Sequence, residues 1–213
     1  MIQIFIIGAS SVYGVGGKSG GWADLIKKSL HRRMYGKNGI GEKYEVYNFG
    51  LSGAKIDFVQ KTFPIQLQQY GRGGKTIVII SLGGNNAKAE NLPENYVSTV
   101  KEFATQMSEL LNLLKSLKTY AIVVGGGYYD ESKTNPKHNP LTGGKSYFTN
   151  KRKVEFENGL KQLCDNMRIP FVEVTISQDI WKKDYLYKDG LHPNHKGHKY
   201  ICNNVMKQLE KLL

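Results

Sequence analysis

Long apolar runs are missing from this chain of 213 residues. A membrane-spanning helix needs about 18 consecutive apolar residues. No run approaches that length, and the mean hydropathy is -0.42, so we expect no membrane span. The opening stretch Met1–Ile7 is apolar, but it is short and has no basic flank, so it predicts a first strand rather than a secretory signal. We therefore expect a cytoplasmic protein by default, or an exported one if a signal preceded this sequence.

Cysteine is scarce as well, with only Cys164 and Cys202 in the chain. Two cysteines are too few for a disulfide framework, and they are not in the Cys-x-x-Cys spacing of redox motifs and zinc sites. Both lie in stretches with helical periodicity. The sequence favours two buried free thiols and leaves a single disulfide open.

Acidic residues are outnumbered, with 18 Asp and Glu against 30 Lys and Arg, which gives a net charge of +12. The excess divides evenly between the two halves of the chain. The densest basic runs are Lys151–Lys153 and Lys182–Lys183, and both are explained as solvated helix faces. No zinc-finger spacing and no aromatic–basic ribonucleoprotein motif is present, so we expect no nucleic-acid partner.

Apolar runs that predict strands alternate with amphipathic stretches that predict helices. The run Thr76–Ser81 is β-branched and apolar on both faces, which is typical of a parallel strand covered by helices on each side. The predicted strands are Ile2–Ile7, Tyr44–Asn48, Thr76–Leu82, Tyr120–Val124 and Pro170–Val174, and the predicted helices lie near 20–34, 57–70, 94–117, 150–167 and 195–212. Together they predict one α/β domain over residues 1–213, built on a three-layer, doubly wound parallel sheet.

One long connection, at about 128–149, has no clear periodicity and is rich in Gly, Pro, Asn and Lys. Long loops in compact domains are often lids or binding loops, although a tolerated insertion is the plain alternative. We expect this loop near the edge of the sheet that binds ligands.

Polar residues and glycines follow the predicted strands at their carboxyl ends, where ligands bind in open α/β sheets. The segments are Gly8–Ser11, Gly50–Gly53, Gly83–Asn86, Gly125–Gly127 and, further along, Asp189–Asn194. Glycine at four strand ends allows the backbone to approach a ligand closely and leaves N–H groups free.

These residue types fit nucleophilic acyl transfer. A serine hydroxyl needs a base to accept its proton, and a carboxylate orients the histidine that serves as base. Ser10 and His192 come from opposite ends of the chain but from the same sheet edge, and Asp189 precedes His192 by three residues. The developing oxyanion needs donors, which the backbone N–H groups of Ser10 and Gly53 and the side-chain amide of Asn85 could provide.

The order of these segments resembles that of the SGNH hydrolases, also called the GDSL esterase/lipase family, over nearly the whole chain. The blocks that carry the resemblance are Ile6–Gly14 with Gly20–Trp22, Tyr47–Gly53, Gly83–Asn86, and Asp189–Asn194 continuing to Gly197 and His198. The resemblance implies Ser10 as nucleophile, His192 as base and Asp189 as its partner. It also implies an oxyanion hole of Ser10, Gly53 and Asn85, and a flavodoxin-like sheet of five strands in the order 2-1-3-4-5.

The sequence departs from the family pattern at Ala9, where the family usually has an aspartate that braces the nucleophile turn. Aspartate is also frequent in the family at the positions of Ala54 and Asn86. Fewer negative charges, together with the nearby Lys55 and Lys88, suggest a site that tolerates an anionic ester, with both lysines as possible substrate contacts.

Tyr128 and Tyr129 follow the fourth predicted strand, so they could line the acyl or alcohol pocket. Ordinary core packing is an equally good interpretation of both tyrosines.

Two other site types fit poorly. The segment Gly14–Ser19 follows a strand, but it lacks the first glycine of a phosphate-binding loop. His192, His195 and His198 share a three-residue spacing, but Pro193 should start the last helix and separate the first histidine from the others. We therefore expect no metal and no cofactor.

The sequence thus predicts a serine hydrolase that cleaves short-acyl or acetyl esters of a small molecule or a carbohydrate. A carbohydrate or cell-wall O-acetyl esterase is the alternative within the same class, and a non-catalytic binding module on the same fold is a second alternative. The oligomeric state stays open.

Overall fold

A central parallel sheet organises the chain in the computed structural model, which describes residues 1–36, 39, 41–140 and 142–213. The strands are β1 Ile2–Gly8, β2 Tyr44–Gly50, β3 Lys75–Ser81, β4 Ala89–Glu90, β5 Tyr120–Val124, β6 Lys137–His138, β7 Lys145–Tyr147 and β8 Phe171–Val172. The helices are α1 Ser10–Tyr13, α2 Trp22–Tyr35, α3 Ile56–Tyr70, α4 Gly84–Ala87, α5 Val100–Ser116, α6 Glu131–Thr134, α7 Asn150–Met167, α8 Gln178–Ile180 and α9 His195–Leu209. A π-helical turn, Trp181–Tyr185, continues α8.

Five strands form the central sheet in the order β2-β1-β3-β5-β8, and every neighbouring pair is parallel. Counted along the chain within this sheet, the order is 2-1-3-4-5, which confirms the prediction. The last strand is shorter than predicted, since only Phe171 and Val172 pair with β5.

Helices cover both faces of the sheet, which confirms the three-layer architecture. Alternate residues of β1 are buried on opposite faces, as the period of two in a strand requires. Ile4 and Ile6 pack with residues of α2 and α9, whereas Phe5 and Ile7 pack with residues of α3, α5 and α7. The two cysteines are buried free thiols in opposite layers, Cys202 with the first set of helices and Cys164 with the second.

Helix α5 begins at Val100, six residues later than the predicted start at 94. The Thr99 hydroxyl accepts the Glu102 N–H at 3.1 Å, and Glu102 Oε2 accepts the Thr99 N–H at 2.8 Å, a reciprocal capping box. Before the cap, the Val97 N–H donates to the Lys88 carbonyl at 3.0 Å. The backbone ahead of Thr99 is therefore committed to other partners, and the helix cannot extend back to 94.

The segment 128–149, predicted as one irregular loop, contains α6 and two short strands. Strand β7 pairs antiparallel with β6 and with β4, so a second sheet of order β4-β7-β6 lies beside the central one. The Asp130 N–H donates to the Gly190 carbonyl at 2.9 Å. This hydrogen bond connects the segment to the turn that contains Asp189 and His192.

The basic run Lys151–Lys153 opens α7, and the prediction of a solvated face is wrong for two of its members. Lys151 is exposed, but Lys153 is buried, and the Arg152 guanidinium lies 4.2 Å from the ring centre of Tyr96 while donating to the Ser98 carbonyl at 2.6 Å. Their neighbours Phe156 and Leu160 belong to the core, so this face of the helix packs against the protein interior.

Among the residues that the structure describes, no helix is both long and apolar enough to cross a membrane.

Candidate active site

Ser10 opens α1 directly after β1 and Ala9. The Val12 and Tyr13 N–H groups both donate to the Ala9 carbonyl at 3.0 Å, and the Gly14 and Val15 N–H groups donate to the Ser10 carbonyl at 3.0 Å. These bonds fold the chain into a tight turn immediately after the strand. The turn places Ser10 at the carboxyl edge of the sheet, where the topology predicts ligand binding.

Asp189 and His192 belong to one tight turn before α9. Asp189 Oδ1 accepts the N–H groups of Leu191 at 3.0 Å and His192 at 3.1 Å, so the carboxylate organises its own turn. Gly190 between them has a φ of 75°, in the left-handed region that favours glycine. Asn194 then caps α9 by accepting the Gly197 N–H at 3.0 Å.

Ser10, His192 and Asp189 form one connected chain of hydrogen bonds. Ser10 Oγ lies 2.7 Å from His192 Nε2, and His192 Nδ1 lies 2.6 Å from Asp189 Oδ2. The His192 side chain is only 12% exposed. A hydroxyl, an imidazole and a carboxylate in this order can pass a proton from the hydroxyl to the ring and stabilise the resulting cation.

The Asp189 carboxyl stays ionised in this environment. Burial opposes its ionisation, but hydrogen bonds from the His192 ring and from the Leu191 and His192 N–H groups outweigh that cost and lower the pKa to about 2. Lys137, from β6, donates to the Asp189 carbonyl at 2.9 Å, and its Nζ lies 3.8 Å from Oδ2. The carboxylate is therefore a fixed negative charge at neutral pH.

Candidate oxyanion donors lie beside this chain of groups. Asn85 uses its side-chain amide to donate to the Ala54 carbonyl at 3.0 Å, which leaves a second amide hydrogen for a ligand. Within the described part of the chain, the backbone N–H groups of Ser10 and Gly53 donate to no protein acceptor. Ser10 and Asn85 line a cavity together with His192, whereas Gly53 lies in the exposed turn before Ala54 and outside that lining.

The cavity at Ser10 has a volume of about 120 Å³. Its lining is largely apolar and includes the aromatic side chains Phe103, Phe148 and Phe156. Known ligand pockets occupy roughly 300–1,000 Å³, so this space suits a small group rather than a long chain.

The four residues predicted as substrate contacts fall in different places. Tyr129 lines the cavity, while the Tyr128 ring lies under the Lys153 ammonium, with Nζ 4.4 Å from the ring centre. Lys55 caps α3 and does not line the cavity. Lys88 does not line it either, because its Nζ lies 2.9 Å from Glu90 Oε1 and its side chain is only 11% exposed.

The anionic-ester hypothesis gains no support from Lys55, Lys88, Ala54 or Asn86, whereas Ala9 does line the cavity. Ala54 and Asn86 are both buried, so an aspartate at either position would not add a charge to an exposed rim. Asn86 instead accepts the Ile56 N–H at 3.2 Å and donates to Ser98 Oγ at 3.2 Å, which is a structural role.

His198 is engaged at both ring nitrogens and stands apart from His192. Its Nδ1 accepts the Trp22 N–H at 3.1 Å, and its Nε2 donates to the Val15 carbonyl at 2.9 Å. Burial is the main cause of a lowered pKa, which keeps the ring neutral. The described residues hold no group of three His, Cys, Asp or Glu side chains arranged for a metal ion.

Sequence reasoning missed Lys153, Glu157 and Lys137. The first two also line the cavity, and Lys137 holds the Asp189 turn. The spacing of four residues between Lys153 and Glu157 on a helix was the available signal for that ion pair. No sequence signal pointed to Lys137.

Comparison with known proteins identifies the family of this chain. The family model described as the GDSL-like lipase/acylhydrolase family matches residues 6–200. The isoamyl acetate-hydrolyzing esterase of Saccharomyces cerevisiae is 24% identical over 178 residues, which are 81% of this chain and 72% of that protein.

Solved structures share the fold at low identity. A lipase/acylhydrolase from Enterococcus faecalis superimposes with a TM-score of 0.75 at 16% identity, covering 100% of this chain and 97% of that one. An acetylxylan esterase from Geobacillus stearothermophilus gives a TM-score of 0.67 at 17% identity, covering 96% and 92%. Since the family model spans most of the sequence, the chain belongs to the GDSL-like lipase/acylhydrolase family and is a carboxylic ester hydrolase.

Proposed function

We propose that this protein hydrolyses acetyl and other short-acyl esters by two-step acyl transfer, with Ser10 as the nucleophile. The observation that carries the proposal is the hydrogen-bonded chain from Ser10 Oγ through the His192 ring to Asp189 Oδ2, at 2.7 Å and 2.6 Å. All three groups come from segments at the carboxyl edge of the sheet.

In the first step, Ser10 Oγ attacks the ester carbonyl carbon while His192 Nε2 takes the hydroxyl proton. The carbonyl oxygen becomes an oxyanion, which the Ser10 and Gly53 N–H groups and the Asn85 amide stabilise. Asp189 holds the proton on Nδ1 and stabilises the imidazolium. Because its pKa is about 2, Asp189 does not itself take up the proton.

The tetrahedral intermediate then collapses. The bond to the ester oxygen breaks, His192 returns its proton to the leaving alkoxide, and the alcohol departs. Ser10 remains acylated. A water molecule, deprotonated by His192, attacks the acyl carbon, and collapse of the second intermediate releases the carboxylic acid and restores the Ser10 hydroxyl.

The preference for short acyl groups rests on the size of the cavity, about 120 Å³, which fits an acetyl group better than a fatty chain. The name of the yeast relative specifies an acetate ester, and that of the Geobacillus protein specifies an acetylated polysaccharide. We propose a small-molecule or carbohydrate alcohol for the ester. Isoamyl acetate and acetylated xylan, assayed side by side, would separate these two kinds of alcohol.

Covalent labelling by a serine-directed phosphonate, combined with hydrolysis of p-nitrophenyl acetate, tests the nucleophile. We expect the wild type to be labelled at Ser10 and to hydrolyse the acetate, and Ser10→Ala to do neither. Ser116→Ala removes an exposed hydroxyl at the end of α5, outside the cavity lining, and should still be labelled and hydrolyse the acetate. Labelling that persists in Ser10→Ala would refute the assignment, and a wild type that binds esters without turnover would indicate a binding module.

A further inference from the structure

A buried ion pair lines the same cavity as Ser10 and His192. Lys153 and Glu157 lie one turn apart on α7, with side chains that are 6% and 15% exposed. Lys153 Nζ donates to Glu157 Oε2, and Glu157 Oε1 accepts the Gly126 N–H at 2.8 Å. Two opposite charges therefore stand in the wall of a cavity that is otherwise largely apolar.

The glycines after β5 make room for this pair. A Cβ atom added at Gly125 would lie 2.2 Å from Glu157 Oε1, so a larger residue there would displace the carboxylate. Gly127 has a different neighbour, because a Cβ atom there would lie 2.0 Å from the Trp181 indole. The sequence suggested that these glycines allow a ligand to approach, but the approach observed is by protein side chains.

The two side chains of the pair are each other's partners in the cavity wall. Burial raises the pKa of Glu157, while Lys153 and the Gly126 N–H oppose that rise. Lys153 also lies over the face of the Tyr128 ring, with Nζ 4.4 Å from its centre. The ammonium has three hydrogens and only one hydrogen-bond acceptor among the described residues, so it favours a hydrated or polar neighbour over an alkyl chain.

We propose that the Lys153–Glu157 pair forms a polar end wall of the acyl pocket and restricts the enzyme to acetyl and other short acyl groups. A methyl or ethyl group contacts only the apolar lining, which includes Phe103 and Phe148. A longer chain reaches the charges and removes water from them without offering a hydrogen bond in return, which is costly. The inference rests on the proposed function, since an acyl pocket exists only if Ser10 carries the acyl group.

The test is a double variant that removes both charges at nearly constant size, Lys153→Met with Glu157→Gln. Glutamine keeps a carbonyl oxygen for the Gly126 N–H, and loss of both charges together leaves neither one buried alone. The measured quantity is the ratio of kcat/KM for p-nitrophenyl hexanoate to that for p-nitrophenyl acetate. A hexanoyl group has four methylenes more than an acetyl group. Each methylene that becomes buried is worth about fourfold, so burial of only two of them should raise this ratio by about tenfold or more.

A matched control is available away from the cavity, where Arg33 of α2 donates to Glu210, the residue that follows α9. The two side chains are 45% and 40% exposed, and neither residue lines the cavity. Arg33→Met with Glu210→Gln likewise replaces one basic and one acidic side chain by neutral ones. Its hexanoate-to-acetate ratio should equal that of the wild type.

The possible outcomes separate the two proposals. A folded double variant at 153 and 157 whose ratio stays within twofold of the wild type would overturn the end wall and leave the proposed function intact. If that variant does not fold, the wild type still decides, because a wild-type ratio near one would equally overturn the wall. A wild type that hydrolyses none of these esters and takes no phosphonate label would instead defeat the proposed function.

Discussion

Replacing Asp189 by asparagine should disable the enzyme while leaving its turn nearly intact. The amide oxygen can still accept the N–H groups of Leu191 and His192, which now reach Asp189 Oδ1 at 3.0 and 3.1 Å. The amide nitrogen then faces His192 Nδ1, where the carboxylate oxygen lies at 2.6 Å. Because an amide N–H only donates, the ring proton must move to Nε2, and Nε2 can no longer accept the Ser10 proton.

The expected loss of kcat is about 10⁴-fold, the effect of a wrong histidine tautomer in a serine–histidine–aspartate triad. Stability should fall as well. The pKa of Asp189 is about 2 in the folded protein, against a reference value of 3.8. The ionised carboxylate therefore adds about 2 kcal/mol of stability above pH 4, which is lost as the pH falls toward 2.

Hydrolysis of p-nitrophenyl acetate under single-turnover conditions measures the first effect, and urea unfolding at pH 7 and pH 3 measures the second. Asp179→Asn is a suitable control, since it makes the same change at an exposed residue of α8. If Asp189→Asn keeps more than a tenth of the wild-type kcat, the assignment of Asp189 as the partner of His192 is wrong. If its stability relative to the wild type does not depend on pH, the Asp189 carboxyl does not have a lowered pKa in the folded protein.

Three further perturbations test other parts of the site. Asn85→Ala should lower kcat about 100- to 1,000-fold toward p-nitrophenyl acetate, and a loss below fivefold would remove it from the oxyanion hole. Lys137→Met should lower the free energy of unfolding by about 1 kcal/mol in urea, because the Asp189 carbonyl loses a charged donor; an unchanged value would contradict that role. The His198 pKa is lowered in the folded state, so the stability of the protein should fall as the pH drops below about 6.5. His198→Gln should weaken this pH dependence of the thermal unfolding temperature. An equal pH dependence in wild type and variant would contradict the lowered pKa of His198.

Strands β1, β3 and β5 could be predicted from the sequence because each contains a short apolar run of the kind that is buried on both faces. The edge strand β2 is less apolar, and only Tyr44 and Val46 are fully buried in it. The triad was accessible because its members directly follow strands or lie in the turn before the last helix, and parallel strands bring their carboxyl ends to one edge. The order of the strands in the sheet was implied by the family resemblance, since apolar runs alone do not indicate which strands are neighbours.

The second sheet could not be predicted, because its strands have only two or three residues. Ala89 pairs with Tyr147 from far along the chain, and such short pairings have no periodicity to detect. The late start of α5, in contrast, could have been predicted, since Thr99 and Glu102 form a recognisable capping-box pattern that apolar periodicity alone does not reveal.

The buried charge at Lys153 shows why a run of basic residues does not by itself predict a solvent-exposed face. Three basic residues in a row suggest solvent, but a helix sends successive residues to different faces. Lys153 shares its face with Phe156, Leu160 and Cys164, which are three to four residues apart and all buried. That apolar stripe could be predicted from the sequence. The contact of Glu157 with Gly125 could not, because it depends on the end of a distant strand.

Ala9 occupies the position where the family usually has an aspartate that braces the nucleophile turn. The structure supplies other braces for the turn that follows Ser10. Asn48 donates to the Val12 carbonyl at 3.1 Å, Trp22 Nε1 donates to Ser11 Oγ at 3.3 Å, and His198 Nε2 donates to the Val15 carbonyl at 2.9 Å. These side chains come from β2, α2 and α9, so elements of the main fold fix the turn from three directions. The position of the nucleophile therefore depends on these contacts rather than on a carboxylate at position 9.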